Sequence, residues 1–122
     1  MNEEFVNEEI TRKLIDKGYP VRLVVKADER IPILYELPRK HPDLQYCKSW
    51  YIPTISQVLK WLREEKNIFV VVFIDDDSDC PVTYNIFKGT DCVCHHHEEY
   101  FALSEWSKCE MAGIEYVIDT LI

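Results

Sequence analysis

Cys92, Cys94, His95, His96 and His97 form the densest set of soft metal ligands in the chain. A zinc site takes four ligands converging on one tetrahedron. Cys92, Cys94, His95 and His97 are the four this run offers, with zinc as the implied cofactor. The spacing argues against convergence. C-x-C is shorter than the usual C-x-x-C, and consecutive side chains of an extended segment point to opposite sides. Cys80 is a fourth ligand on paper, but a strand over 82–88 puts it roughly 20 Å away, at about 3.3 Å per residue. Glu98 and Glu99 are alternative donors. The competing reading is a polar exposed loop ahead of the last helix, needing no cofactor.

Asp75, Asp76, Asp77 and Asp79 imitate the first positions of a calcium loop. The pattern fails where it is most specific, because Cys80 replaces the turn glycine and Ile86 stands where a bidentate Glu belongs. A charged turn after a β-prone run also discourages that run from pairing with other chains. Nucleophilic chemistry would need Cys47 or Cys80 beside His41 or one of His95–His97. No nucleophile elbow or Ser-x-x-Lys element is present, and three glycines leave no phosphate-cradling loop. No catalytic residue is assigned, and a non-enzymatic role is the better reading. Among Trp50, Trp61 and Trp106, Trp61 stands between Lys60 and Arg63 at the border of an apolar helix stripe. Partly exposed Trp is a favoured interface anchor, so Trp61, Lys60 and Arg63 form the candidate interaction surface. The plainer alternative is that Trp61 extends the core.

The elements that would position these groups are only partly legible. Glu3 to Lys17 reads as a helix, with Phe5, Ile10, Leu14 and Ile15 on one stripe and Gly18 as its stop. Val21 to Val25 reads as a short strand. Pro32, Pro38 and Pro42 restrict the next stretch to short extended pieces near 33–37 and 46–52, joined by an exposed loop around 38–43. Thr54 and Gln57 form a capping-box pattern, and Ile55, Val58, Leu59 and Leu62 follow at helical spacing. Asn67 suits a left-handed helix end. Ile68–Ile74 is continuously apolar, which predicts a strand covered on both faces. Val82–Lys88 alternates, so 68–88 is expected to be an antiparallel hairpin. A last helix from Ser104 carries Trp106, Glu110, Gly113, Ile114, Val117, Ile118 and Leu121 on one stripe, with Gly113 placed for close approach to the sheet. The order α-β-(β)-α-β-β-α predicts an α+β fold, about three helices covering one small mixed or antiparallel sheet.

At 122 residues and 47% apolar, the chain suits a single domain spanning 1–122. Fourteen basic against 22 acidic residues give a net charge of −8, which argues against direct nucleic-acid binding. The Met1-Asn2-Glu3-Glu4 start is unlike a signal peptide, and the longest apolar run is too short to span a membrane. Five cysteines without a disulfide-like spacing fit a reducing compartment, so a cytoplasmic location is expected.

Pro53-Thr54, followed by Lys60-Trp61-Leu62-Arg63-Glu64 and Asn67-Ile68, resembles a family of small uncharacterised proteins. They are encoded by gut Bacteroidetes and by their phages and mobile elements. The similarity extends more weakly to Lys17-Gly18 and to Ala112–Ile122, about half of the chain in all. The resemblance implies a cytoplasmic bacterial or phage-derived origin and an α+β fold, and assigns no functional residues. Two functions follow as expectations. One is a protein-interaction or accessory module with a protein partner. The alternative is a small zinc-binding or thiol-dependent protein centred on the Cys92–His97 loop. A small sheet also leaves an edge to bury, and self-association is compatible with that.

Overall fold

Asn7 decides where the first helix begins. Its side-chain oxygen accepts the Ile10 amide at 2.8 Å, and α1 (Glu8–Asp16) follows with Glu8 and Glu9 in the first turn. The helix therefore starts five residues later than Glu3, because Phe5 is extended and bridges Thr54. It ends at Lys17, and Gly18 takes φ +90°, the left-handed stop expected of it. In this computed structural model, residues 4–26, 28–35, 49–75, 78–95 and 99–122 are described. The expected loop around 38–43 lies outside them.

The chain divides into two compact units, Phe5–Thr54 and Met1–Glu4 with Ile55–Ile122. In the first, β1 (Ile33–Tyr35) pairs antiparallel with β2 (Ser49–Tyr51), within the two extended pieces predicted. Val21–Val25 is not a strand. It makes one bridge, Leu23 to Trp50, flanked by backbone hydrogen bonds from Val24 to Ser49 and from Tyr51 to Arg22, and while Val21 and Val24 are half-buried, Val25 is 91% exposed. Ile10, Leu14, Leu34 and Ile52 are buried in this unit, each worth about 1.5–3 kcal/mol against exposure.

In the second unit, α2 (Ile55–Lys66) buries Ile55, Val58 and Leu62 of the predicted stripe, with Leu59 half-buried. Asn67 follows at φ +56° and turns the chain directly into β3 (Ile68–Ile74). β3 pairs antiparallel with β4 (Val82–Lys88) along its whole length, and β4 pairs with β5 (Asp91–His95). The sheet order is β3-β4-β5. The predicted hairpin is present, with one difference in how it is covered. β4, not β3, is the central strand, and Val82, Thr83, Tyr84 and Ile86 are buried along it. β3 is an edge strand, with Val71 41% and Ile74 59% exposed. A continuously apolar run fits both situations, and the pairing order decides between them.

α3 (Trp106–Tyr116) packs over β3 and β4, and its C-terminal residues Val117–Leu121 wind as a π-helical turn. Gly113 lies against the sheet, where a Cβ would stand 2.5 Å from Val70 Cγ1. This gives the sheet two unlike faces. Val70, Tyr84 and Ile86 lie on the side under α3, and the alternate residues Phe69, Val71, Phe73, Thr83, Asn85 and Phe87 lie on the other. The fold is α+β, and among the described residues there are three helices and two small antiparallel sheets where one sheet was expected. Among the described residues no helix is long and apolar enough to cross a membrane.

Candidate functional site

The segment Asp91–His95 is a strand, not a loop, because Gly89 and Thr90 turn the chain tightly, with Gly89 at φ +63°. Its register separates the two cysteines. Cys94 stands opposite Ile86 and Cys92 opposite Phe87, with Val93 as the extra residue of a bulge. Ile86 and Phe87 are neighbours on β4, so Cys94 belongs to the face under α3 and Cys92 to the outer face. Cys94 is buried, and the Cys92 thiol donates to its carbonyl at 3.7 Å. The bulge thus sets the two thiols of C-x-C on opposite sides of the sheet. His95 pairs through its backbone with Asn85, and His97 lies outside the described residues. Cys80 is beyond Val82, at the other end of β4. Among the described residues no three metal-ligating side chains come together. His41, Cys47, Asp76 and Asp77 also fall outside them.

A part-buried polar cluster that the sequence did not suggest lies beside α3. After β5 the chain returns along β4: Val82 and Phe101 exchange backbone hydrogen bonds at 3.0 and 2.8 Å. This brings Glu99 next to Thr83 and Tyr84. The Thr83 hydroxyl donates to the Glu99 carbonyl at 2.9 Å, and the Tyr84 hydroxyl donates to its carboxylate at 3.1 Å. A cleft of about 210 Å³ opens here, lined by Tyr84, Glu99, Glu115, Tyr116 and Asp119. Its electrostatics hold protons in place. Burial, then the Glu99 carboxylate, raises the Tyr84 phenol above its ordinary value. A hydrogen bond with Cys94 raises Tyr116. Burial pushes the Cys109 thiol up to about 12, with Glu110 and Glu99 adding to it. An activated thiol needs the reverse, a positive neighbour that favours the thiolate. The arrangement suits a structural hydrogen-bond cluster better than a nucleophile.

On α2, Trp61 is half-buried, with the Lys66 ammonium 5.5 Å from its ring centre. Lys60 lies 4.0 Å from Glu64, and Arg63 is exposed. The three residues share one helix, along which Lys60 is engaged with Glu64. The outer face of the three-stranded sheet is more apolar. It carries Phe69, Val71, Phe73 and Phe87, all half-buried or exposed. Asn85 Oδ1 lies among them, buried and without a hydrogen-bond partner. Only the strand order reveals this face, because it depends on which residues of 68–74 and 82–88 share a side.

In the Phe5–Thr54 unit, a groove of about 660 Å³ is lined by Lys26, Asp28, Glu29, Arg30 and Tyr51. The Arg30 guanidinium is held by Asp28 at 3.1 and 3.2 Å, which occupies the fork an anion would need. No protein-family model, curated protein or solved structure matches the chain.

Proposed function

We propose that this chain is a non-enzymatic protein-interaction module, a cytoplasmic accessory protein of bacterial, phage or mobile-element origin. It binds a protein partner through the outer face of its three-stranded sheet. The observation that carries this reading is the composition of that face, where Phe69, Val71, Phe73 and Phe87 lie together around the unsatisfied side-chain oxygen of Asn85. Apolar patches of this kind mark interaction sites more often than they serve a monomer. The net charge of −8 favours a partner that is itself basic at its rim. Trp61, Lys60 and Arg63 supply a second, smaller aromatic surface.

The test is capture of the tagged full chain's partners from its native cells, read by mass spectrometry against an unrelated acidic domain of similar size. One reproducible partner, lost with Phe87→Lys, is the expected outcome. Absence of a reproducible partner, or a partner held equally well by Phe87→Lys and Trp61→Ala, overturns the reading.

A further inference from the structure

The edge of β3 poses a separate question from the sheet's face. Asp75 donates its amide to the Pro81 carbonyl at 2.8 Å, and Gly89 donates to the Asn67 carbonyl at 2.9 Å. In an antiparallel ladder, hydrogen-bonded and non-hydrogen-bonded pairs alternate. The odd-numbered residues from 67 to 75 therefore turn their backbone groups toward β4. Val82 agrees with this, since it spends its own N–H and C=O on Phe101, on the side away from β3. Val70, Val72 and Ile74 consequently turn their N–H and C=O groups to the sheet's outer edge; Ile68 turns the same way but is only 1% exposed, so its backbone is already covered. Among the described residues, β3 pairs with β4 alone.

The sequence of that edge is Ile-Phe-Val-Val-Val-Phe-Ile, which reads the same in both directions about Val71. A two-fold interface is isologous, so each residue meets the one symmetry assigns to it in the other copy. We propose that two copies of this chain pair antiparallel through β3, with the two-fold axis between the two Val71 residues. Ile68 then meets Ile74, Phe69 meets Phe73 and Val70 meets Val72, so like side chains face like on both sides of the sheet. Val71 forms a non-hydrogen-bonded pair with its counterpart, the closely spaced kind. The hydrogen-bonded pair that the open part of the edge supplies is Val70 with Val72, made twice about the axis. The two sheets become one sheet of six strands, from two sets of three.

Charge fixes the register. In this alignment Asp75 falls opposite Asn67 of the second copy. Sliding the copies by two residues toward the strand's end sets Asp75 against Phe69. The strand itself contains no charge, proline or bulge of the kind that blunts an exposed edge. The pairing uses the backbone edge of β3, but Phe69, Val71 and Phe73 also belong to the partner-binding face, so the wild-type exchange pattern, which alters no side chain, is what tests it apart from the function proposed above.

Amide hydrogen exchange on the full chain, followed by NMR across a dilution series, reads the pairing directly. At high concentration the amides of Val70 and Val72 are protected, and dilution releases these two while Phe69, Val71 and Phe73 stay protected by β4. Light scattering over the same series falls from twice 14.5 kDa toward 14.5 kDa. Val71→Lys and Val71→Glu each place like charges across the axis and give the single-chain mass, and mixing the two variants restores the doubled mass. Exchange of the Val70 and Val72 amides that is unprotected at every concentration overturns the proposal. A doubled mass that Val71→Lys leaves unchanged overturns it as well. The wild-type exchange pattern decides the matter even where a variant fails to fold.

Discussion

Gly113 and Val70 are in contact across the α3–sheet interface, so closely that a Cβ on residue 113 would lie 2.5 Å from Val70 Cγ1 and 3.4 Å from the Tyr84 ring. The β-branched Val70 has little rotamer freedom with which to retreat. Gly113→Ala therefore sets two effects against each other. The helix gains about 1 kcal/mol of propensity, while overpacking costs about 1–3 kcal/mol. The expected net is a loss of about 1 kcal/mol, a fall in Tm of roughly 4 °C. In a Val70→Ala background the clash disappears, and the same substitution should be neutral or stabilising. Thermal denaturation of the four variants checks this.

Tyr84→Phe should cost about 1 kcal/mol, since it removes a hydrogen bond from a side chain that is otherwise fully packed. Glu99→Gln keeps an acceptor and should cost less. Denaturant titration of both, with unchanged m-values, is the measurement.

Glu110 titrates above its ordinary value because it is partly buried on α3. A carboxyl with a raised folded pKa binds its proton more tightly in the folded state. Its effect on stability is favourable below the unfolded value and is lost as pH rises through the folded one. Stability should therefore decline across that acid-to-neutral window by a term that Glu110→Gln abolishes. Melting curves for both proteins at matched ionic strength should diverge as the pH rises, with the Gln variant more stable at neutral pH. A Gln variant whose pH profile is parallel to the wild type's would refute the assignment.

Chelator should leave the Tm unchanged, because Cys92 and Cys94 belong to opposite faces of the sheet. Cys94→Ser puts a hydroxyl into a buried position and should cost about 1–3 kcal/mol, whereas Cys92→Ser should stay within about 0.5 kcal/mol. A shared structural zinc would make the two substitutions equally damaging and both chelator-sensitive.

Where local chemistry determines structure, the sequence is readable. The α2 stripe, the left-handed Asn67, the 68–88 hairpin and the close approach at Gly113 all depend on residues adjacent in the chain or at fixed spacing. β5 is masked because Cys92–His97 looks like a polar loop, although Gly89-Thr90 between Phe87 and Cys92 is a two-residue hairpin signal. The placement of β3 at the edge is not readable, since apolar continuity cannot tell an edge from a centre. The Glu99 cluster is hidden for a related reason, because sixteen residues separate Thr83 from Glu99 and only the return of the chain along β4 joins them. The symmetry of Ile68–Ile74 is visible in the bare letters, but it acquires meaning only when the ladder shows which backbone groups face outward.

The bulge at Val93 does more than hold a pair of cysteines apart. A sheet with two smooth borders can add copies at both, and growth of that kind ends in fibres. Here the β3 border is flat and regular, while the opposite border is interrupted at Val93 and passes from β5 to Phe101 before β4 ends. If copies pair through β3 as proposed, the border left over is this interrupted one, and the same irregularity that spoils a metal site would work against further growth of the sheet.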